Sequence, residues 1–218
     1  MNRYYEIHGD GQWLVLIAGL GADSSLFKPY TDRLAEKYKV LIFDNRGAGK
    51  TDKPDLPYSI PMMAEDTASL LEALGVEEAF LLGVSLGGRI AMEFTLQHPG
   101  TVRKLILVSA APSVQTKLSV FPKIIKYVRS MRKSGQPYNA FIRQLNASAG
   151  YDCTERLKEL NLPVLIAYGK KDRSVTQTQV AEMGEAIRGS RTIAFRGGHL
   201  FFLFRAEEFT NEILNFLL

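Results

Sequence analysis

Short unbroken apolar runs alternate along this chain with longer stretches in which apolar residues return at helical spacing. Arg3 to His8 reads as a short strand closed by the turn signal Gly9-Asp10-Gly11. Trp13 to Ala18 is continuously apolar, as expected of a strand covered on both faces, and ends at Gly19-Leu20-Gly21. Asp23 or Ser24 can cap a helix reaching about Lys37, and Lys39 to Phe43 is the next buried strand. Ser59 or Pro61 opens a helix that Gly75 stops. The apolar run from Ala79 to Leu82 precedes a helix from Leu86 to about Gln97, and Lys104 to Ser109 is another buried strand.

From Pro112 to about Leu160 the rhythm changes to amphipathic helical sequence without a convincing strand. Pro163 to Tyr168 restores the strand pattern, Ser174 to Arg188 reads as a helix, and Thr192 to Phe195 is a last short strand. Phe209, Ile213 and Phe216 or Leu217 stripe a final helix over about Ala206 to Leu218. Strands alternating with helices predict an α/β fold, with a mostly parallel central sheet, helices on both faces and right-handed crossovers. The predicted organisation is a core of residues 1–111 and 161–218 interrupted by a helical cap at 112–160. No internal repeat or low-complexity segment is visible.

Composition narrows the class. The chain of 218 residues is one domain's worth and long enough to bury a core. Its 46% hydrophobic and 23% charged residues are those of an ordinary globule, and a net charge of +4 argues neither for nor against nucleic acid. The single cysteine, Cys153, rules out an internal disulfide and supplies no metal cluster. The start lacks the apolar core of a secretory signal, and no apolar stretch approaches the roughly 18 residues of a membrane span. A cytoplasmic protein is the expectation.

Candidate chemistry gathers at Gly83-Val84-Ser85-Leu86-Gly87-Gly88, where a buried strand meets a helix inside the pattern Gly-x-Ser-x-Gly. Such a turn lifts a serine hydroxyl over the sheet, and the helix N-terminus beneath it offers free N–H groups. In an arbitrary loop the same letters would be a flexible turn; between an apolar strand and an amphipathic helix they predict a nucleophile. Serine needs a base, and the base needs an acid to set its tautomer. Of three histidines, His8 ends an early strand and His98 ends a helix, so both read as structural. His199 follows the last strand, at the sheet edge where open α/β sheets place ligands. Asp172, just after the Pro163 strand, is the predicted acid, although flanking Lys171 and Arg173 would also suit a solvated turn. Asp152 lies within the cap, and Asp44 is expected to hold its own loop together with Arg46 as a candidate partner. An oxyanion hole needs two aimed backbone donors; one is Leu86 N–H, which follows the serine, and the other is expected from the first strand–helix loop, with Leu20 N–H favoured.

These residues make the chain resemble the α/β-hydrolase fold superfamily, and within it small esterases, enol-lactonases and carrier-protein methyl esterases. The shared landmarks are Gly19-Leu20-Gly21, Asp44-Asn45-Arg46-Gly47-Ala48-Gly49 through Asp52-Lys53-Pro54, the Ser85 motif, Gly169 with Asp172, and Gly198-His199. The resemblance implies Ser85 as nucleophile, His199 as base and Asp172 as its partner. It also exposes departures. Ala18 stands where the family's loop usually has a loop-supporting histidine, the usual first edge strand is missing from the pattern, and the cap is short, which suggests an open site or a shallow acyl pocket.

The reading is a serine hydrolase acting on a carboxylic ester, lactone or thioester of a small-molecule acyl substrate, with no metal or organic cofactor, no nucleic acid and no membrane span. The same triad serves amidases, peptidases and carbon–carbon bond hydrolases, and a ligand-binding protein on this fold is the rival from another class. A dehalogenase of this fold would need an aspartate in place of Ser85. Gly47-Ala48-Gly49-Lys50-Thr51 is not a phosphate loop, because Asp44 stands where the first glycine belongs and Pro54 blocks a helix at the lysine. Lys117, Lys123, Lys126, Arg129, Arg132 and Lys133 form a basic stripe without an acidic residue between them, with Ile124, Ile125, Val128 and Met131 as an apolar face. A solvated outer face is the ordinary explanation of such a stripe. Its functional alternative is steering of an anionic substrate or an acidic carrier protein, and membrane-surface contact is a third.

Overall fold

The computed structural model describes residues 1–114 and 136–218. The basic stripe between Lys117 and Lys133 lies outside the described residues. Seven strands form one sheet in the order β1-β3-β2-β4-β5-β6-β7. They are β1 (Tyr5–His8), β2 (Trp13–Ile17), β3 (Lys39–Phe43), β4 (Ala79–Val84), β5 (Val102–Val108), β6 (Val164–Gly169) and β7 (Arg191–Phe195). Edge strand β1 runs antiparallel to β3, and every other pairing is parallel. Among the described residues β1 and β7 are the edge strands of the sheet.

The helices are α1 (Lys28–Ala35), α2 (Ile60–Ala73), α3 (Leu86–Gln97), α4 (Tyr138–Ala149), α5 (Gln177–Ala186), α6 (Phe201–Phe204) and α7 (Ala206–Leu217), with 3₁₀ turns at Ser24–Phe27 and Thr154–Glu159. Alternation along each strand sends Leu14 and Leu16 to one face with Tyr30, Leu34 and Ile213, and Val15 and Ile17 to the other with Met63, Ile90 and Phe94. Burial on both faces is why the inner strands read as apolar runs, whereas the edge strands β1 and β7 are largely exposed and mix polar with apolar residues.

Local signals explain the helix starts. Ser59 accepts from Met62 N–H and opens α2, with proline in its first turn, and Leu74 and Gly75 end it. Two predicted helices differ in detail. The first begins as the 3₁₀ turn capped by Asp23 and becomes α-helical only at Lys28, where Pro29 suits the first turn. The one expected from Ser174 starts at Gln177, because Thr176 and Gln179 form a reciprocal capping box there. Between β5 and β6, α4 and the second 3₁₀ turn are the described elements, and an isolated antiparallel Ser113–Asp152 bridge brings the two ends of the segment together. Arg89 of α3 ties the same region down by donating to the carbonyls of Ala111 (3.0 Å) and Ser113 (3.2 Å) and to Ser148 Oγ (2.5 Å). Among the described residues no helix is long and apolar enough to cross a membrane.

Helix α3 packs against the sheet closely enough to exclude any side chain at Gly87. A Cβ there would lie 2.1 Å from the Ile17 carbonyl oxygen. Gly75, by contrast, has φ +66° but nothing within 4 Å of a built Cβ. Gly87→Ala should therefore reduce stability by about 3 kcal/mol or more, at or above the upper end for overpacking a core. Gly75→Ala should cost only about 1–2 kcal/mol, the penalty of a left-handed backbone. Urea unfolding of the two variants checks this, and equal losses would mean that α3 does not sit so close to β2.

Candidate active site

The carboxyl ends of β4, β5, β6 and β7 bring three distant side chains into one line. Ser85 sits between β4 and α3 with φ 55° and ψ −112°. Its N–H donates to Val108 O (2.9 Å), so β5 holds the turn while α3 begins at the next residue. A non-glycine residue in this conformation is strained and persists only where its surroundings over-determine it. Asp172 follows β6 in a tight turn closed by its own N–H to Gly169 O (2.9 Å). One carboxylate oxygen accepts from Ser174 N–H (2.8 Å) and Val175 N–H (3.1 Å), which leaves the other to face His199.

His199 Nδ1 lies 2.8 Å from Asp172 Oδ2, and its Nε2 lies 3.1 Å from Ser85 Oγ. The Asp172 side chain is fully inaccessible while that of His199 is 30% exposed, so the pair is closed on the acid side and open toward the serine. Burial pushes the Asp172 carboxyl up. The hydrogen bond and charge of His199, with the two backbone N–H groups, outweigh it and leave the group below its ordinary 3.8.

The loop after β2 lies beside Ser85. A Cβ on Gly19 would sit 3.4 Å from Ser85 Cβ, and Ala22 N–H to Gly19 O (3.2 Å) closes a turn with Leu20 and Gly21 at its centre. Neither Leu20 N–H nor Leu86 N–H has an acceptor among the described residues. Ala18 is buried, and its carbonyl accepts from Asn45 Nδ2 (2.9 Å).

The remaining candidates fall elsewhere. His8 pairs with Glu6 on β1, and His98 ends α3 beside Phe94 and Glu65. Asp152 accepts from Thr154 N–H and Oγ1. Asp44 does organise its loop, accepting from Ser24 N–H and Lys50 N–H (both 2.7 Å). Its expected partner Arg46 instead makes a two-pronged bond to Asp66 of α2, whose buried carboxylate presents both oxygens to the guanidinium fork. No helix begins at Lys50, which lies over the Tyr4 ring. Among the described residues no group of three His, Cys, Asp or Glu side chains is arranged to hold a metal.

Pattern reasoning missed two residues. Ser109, the other non-glycine residue with positive φ among those described, donates its hydroxyl to the His199 carbonyl (2.8 Å). Nothing local in the sequence marks it, since its partner is 90 residues away. Gln144 of α4 is fully buried and accepts from Gly21 N–H. It had a signal, being a lone amide within the buried stripe Ala140, Phe141, Leu145 and Ser148.

A mostly parallel sheet with helices on both faces and a strained serine at the β4–α3 turn is the architecture of an α/β hydrolase. The chain belongs to the alpha/beta hydrolase fold family, whose sequence profile matches residues 12–134, more than half its length. It is 27% identical over 250 aligned residues to a protein of Azorhizobium caulinodans named "Putative carbamate hydrolase RutD", covering 99% of this chain and 94% of that one. An esterase from Exiguobacterium antarcticum superposes with a TM-score of 0.88 at 28% identity, over 98% of this chain and 94% of that one. The enol-lactonase from Burkholderia xenovorans LB400 shares the fold, with a TM-score of 0.87 at 22% identity over 99% and 96% of the two chains.

The Asp172–His199 pair predicts an acid-sensitive term in stability. Because the folded carboxyl titrates below its ordinary value, the unfolded chain binds more protons as pH falls, and stability is lost with it. Between about pH 5 and about pH 3, which straddles the ordinary carboxylate pKa, the wild type should lose more stability than Asp172→Asn. Urea midpoints at the two pH values measure the difference, and parallel losses would remove the pair as the cause.

Proposed function

We propose that the protein is a serine hydrolase that cleaves a carboxylic ester, lactone or thioester through an acyl-enzyme on Ser85. The observation that carries this reading is the unbroken relay from Ser85 Oγ to His199 Nε2 (3.1 Å) and from His199 Nδ1 to Asp172 (2.8 Å). In this mechanism His199 Nε2 takes the hydroxyl proton as Ser85 Oγ bonds to the carbonyl carbon. Leu20 and Leu86 N–H groups stabilise the resulting oxyanion. Collapse breaks the bond to the leaving alkoxide or thiolate, which receives the proton from the imidazolium. A water then attacks the acyl group with His199 again as base, and the acid product and Ser85 hydroxyl are released. Asp172 stays ionised, orienting the ring and stabilising its charged form.

In the same reading, residues 112–160 form a cap over a core of 1–111 and 161–218, and the cap decides the substrate. The resemblance to a protein named as a carbamate hydrolase, over nearly all of both chains, favours adding carbamates to the candidate substrates. Their carbonyl would be attacked by the same steps. The basic sequence from Lys117 to Lys133 suits an anionic substrate or an acidic carrier protein, which the mouth of such a site would attract.

The test is hydrolysis of a panel of p-nitrophenyl acyl esters and p-nitrophenyl carbamates, together with labelling by a fluorophosphonate. Wild type should turn over at least one chain length and take the label at Ser85, and Ser85→Ala should do neither. Asp172→Asn should fold yet lose roughly 10³- to 10⁴-fold in kcat, because the imidazole then rests in the wrong tautomer. Ligand binding without turnover in a folded wild type would favour a binding protein on this fold and sink the enzymatic reading. Preference among ester, thioester, amide and carbon–carbon substrates is then read from the panel that the active protein accepts.

A further inference from the structure

The Leu20 N–H is useful as an oxyanion donor only if the loop carrying it is held still. In this chain the support comes from two places. On the core side, Gly19 abuts Val84 O and Ser85 Cβ, and Asn45 Nδ2 holds the Ala18 carbonyl (2.9 Å). On the other side stands α4, which belongs to the segment between β5 and β6. A Cβ built on Gly21 would meet two ring carbons of Phe141 at 3.2 Å, so the helix lies directly on the loop.

At the centre of that contact is Gln144, with no exposed surface. Its Oε1 accepts from Gly21 N–H (3.1 Å) and from Gln136 Nε2 (3.1 Å), and its Nε2 donates to the Arg46 carbonyl (2.8 Å). The acceptor needed by Gly21 and the donor needed by Arg46 leave the amide one workable orientation. The peptide bearing Leu20 N–H thus lies between two anchored units, Ala18 C=O on Asn45 and Gly21 N–H on Gln144. Buried polar groups joined in this way are rigid when all are satisfied and expensive to leave unpaired.

We propose that Gln144 is a positioning residue for the oxyanion loop, so that α4 sets the direction of the Leu20 donor as well as covering the site. This rests on the serine-hydrolase reading above. Gln144 touches no reacting atom; it acts through Gly21. Support that the family usually draws from a histidine at the position of Ala18 is here supplied in part by a helix remote in sequence. Movement of α4 on or off the loop would therefore change the rate of chemistry, not only access to the site.

The test uses the full-length protein, Gln144→Met and Gln144→Glu. The methionine removes all three hydrogen bonds of the amide at similar volume, and the glutamate keeps an acceptor for Gly21 while losing the donor to Arg46. Three readouts are compared: amide hydrogen exchange at Gly21 against Leu82 in β4, kcat and KM for a p-nitrophenyl ester, and inhibition by a boronic acid that forms a tetrahedral adduct on serine. In the wild type Gly21 should be protected, and in Gln144→Met that protection should fall while Leu82 is unchanged. The kcat should fall roughly 10- to 100-fold, less than the loss on deleting an oxyanion donor outright. KM should stay near its wild-type value, and boronate affinity should weaken in proportion to kcat/KM. Gln144→Glu should recover Gly21 protection and part of kcat.

A merely structural role would lower the unfolding midpoint and leave kcat and boronate affinity per folded molecule intact, which would overturn the proposal. Unprotected Gly21 in the wild type would overturn it without any variant, so a failure of Gln144→Met to fold does not rescue it. If the wild type turns over no ester and ignores the boronate, the serine-hydrolase reading fails and this role in catalysis fails with it. If the wild type is active and the variants match it in kcat and boronate affinity, the serine-hydrolase reading stands and the role of Gln144 alone fails.

Discussion

Ser85 holds a backbone conformation that an L-residue adopts only under constraint, and the constraint is the contact of α3 with the sheet beneath it. The helix can start one residue after β4 only because Gly87 lets its first turn settle onto the Ile17 carbonyl of β2. Settled there, it leaves Leu86 N–H beside the serine and places Ser85 under the Val108 carbonyl of β5. The strain at one residue is thus balanced against burial spread over both faces of a seven-stranded sheet.

The remaining parts of the site inherit their positions from that sheet. Parallel strands put their carboxyl ends on one edge, so the loops after β4, β6 and β7 can each contribute one side chain to a single line. On either side of the His199 loop, Phe195 stacks on Phe201 and Phe209 meets both rings edge to face, which packs the two ends of the loop together, while Ser109 donates its hydroxyl to the His199 carbonyl. Asp172 is set differently, by two N–H groups within three residues of itself. A local turn orients Asp172, and tertiary contacts orient the loop of His199.

The loop that faces them shows how one support can replace another. Ala18 cannot make the side-chain bonds of a histidine, yet the loop is pinned at its carbonyl by Asn45 and at Gly21 by Gln144. Because Gln144 also holds Arg46, whose side chain grips Asp66 of α2, the loops after β2 and β3 and helices α2 and α4 are joined by one hydrogen-bonded path. Such buried polar paths, when their groups are satisfied, rigidify the core and specify one arrangement.

Much of this was legible in the amino-acid order alone. Apolar runs marked the strands because burial on both faces removes every polar position from a short stretch, and Asp23, Ser59 and Gly75 marked helix ends through bonds reaching only a few residues. Ser85, Asp172 and His199 could be chosen because each stands directly after a strand whose end was visible. Local order did not show that Arg46 would choose Asp66 over Asp44, that Thr176 would delay α5, or that Ser109 and Gln144 would brace the site. The capping choice turned on competition between neighbouring hydroxyls, and the other three on partners 20, 90 and 123 residues distant. Periodicity reports which side of an element is buried. Which polar group meets which is decided only when the sheet and its helices have closed on one another.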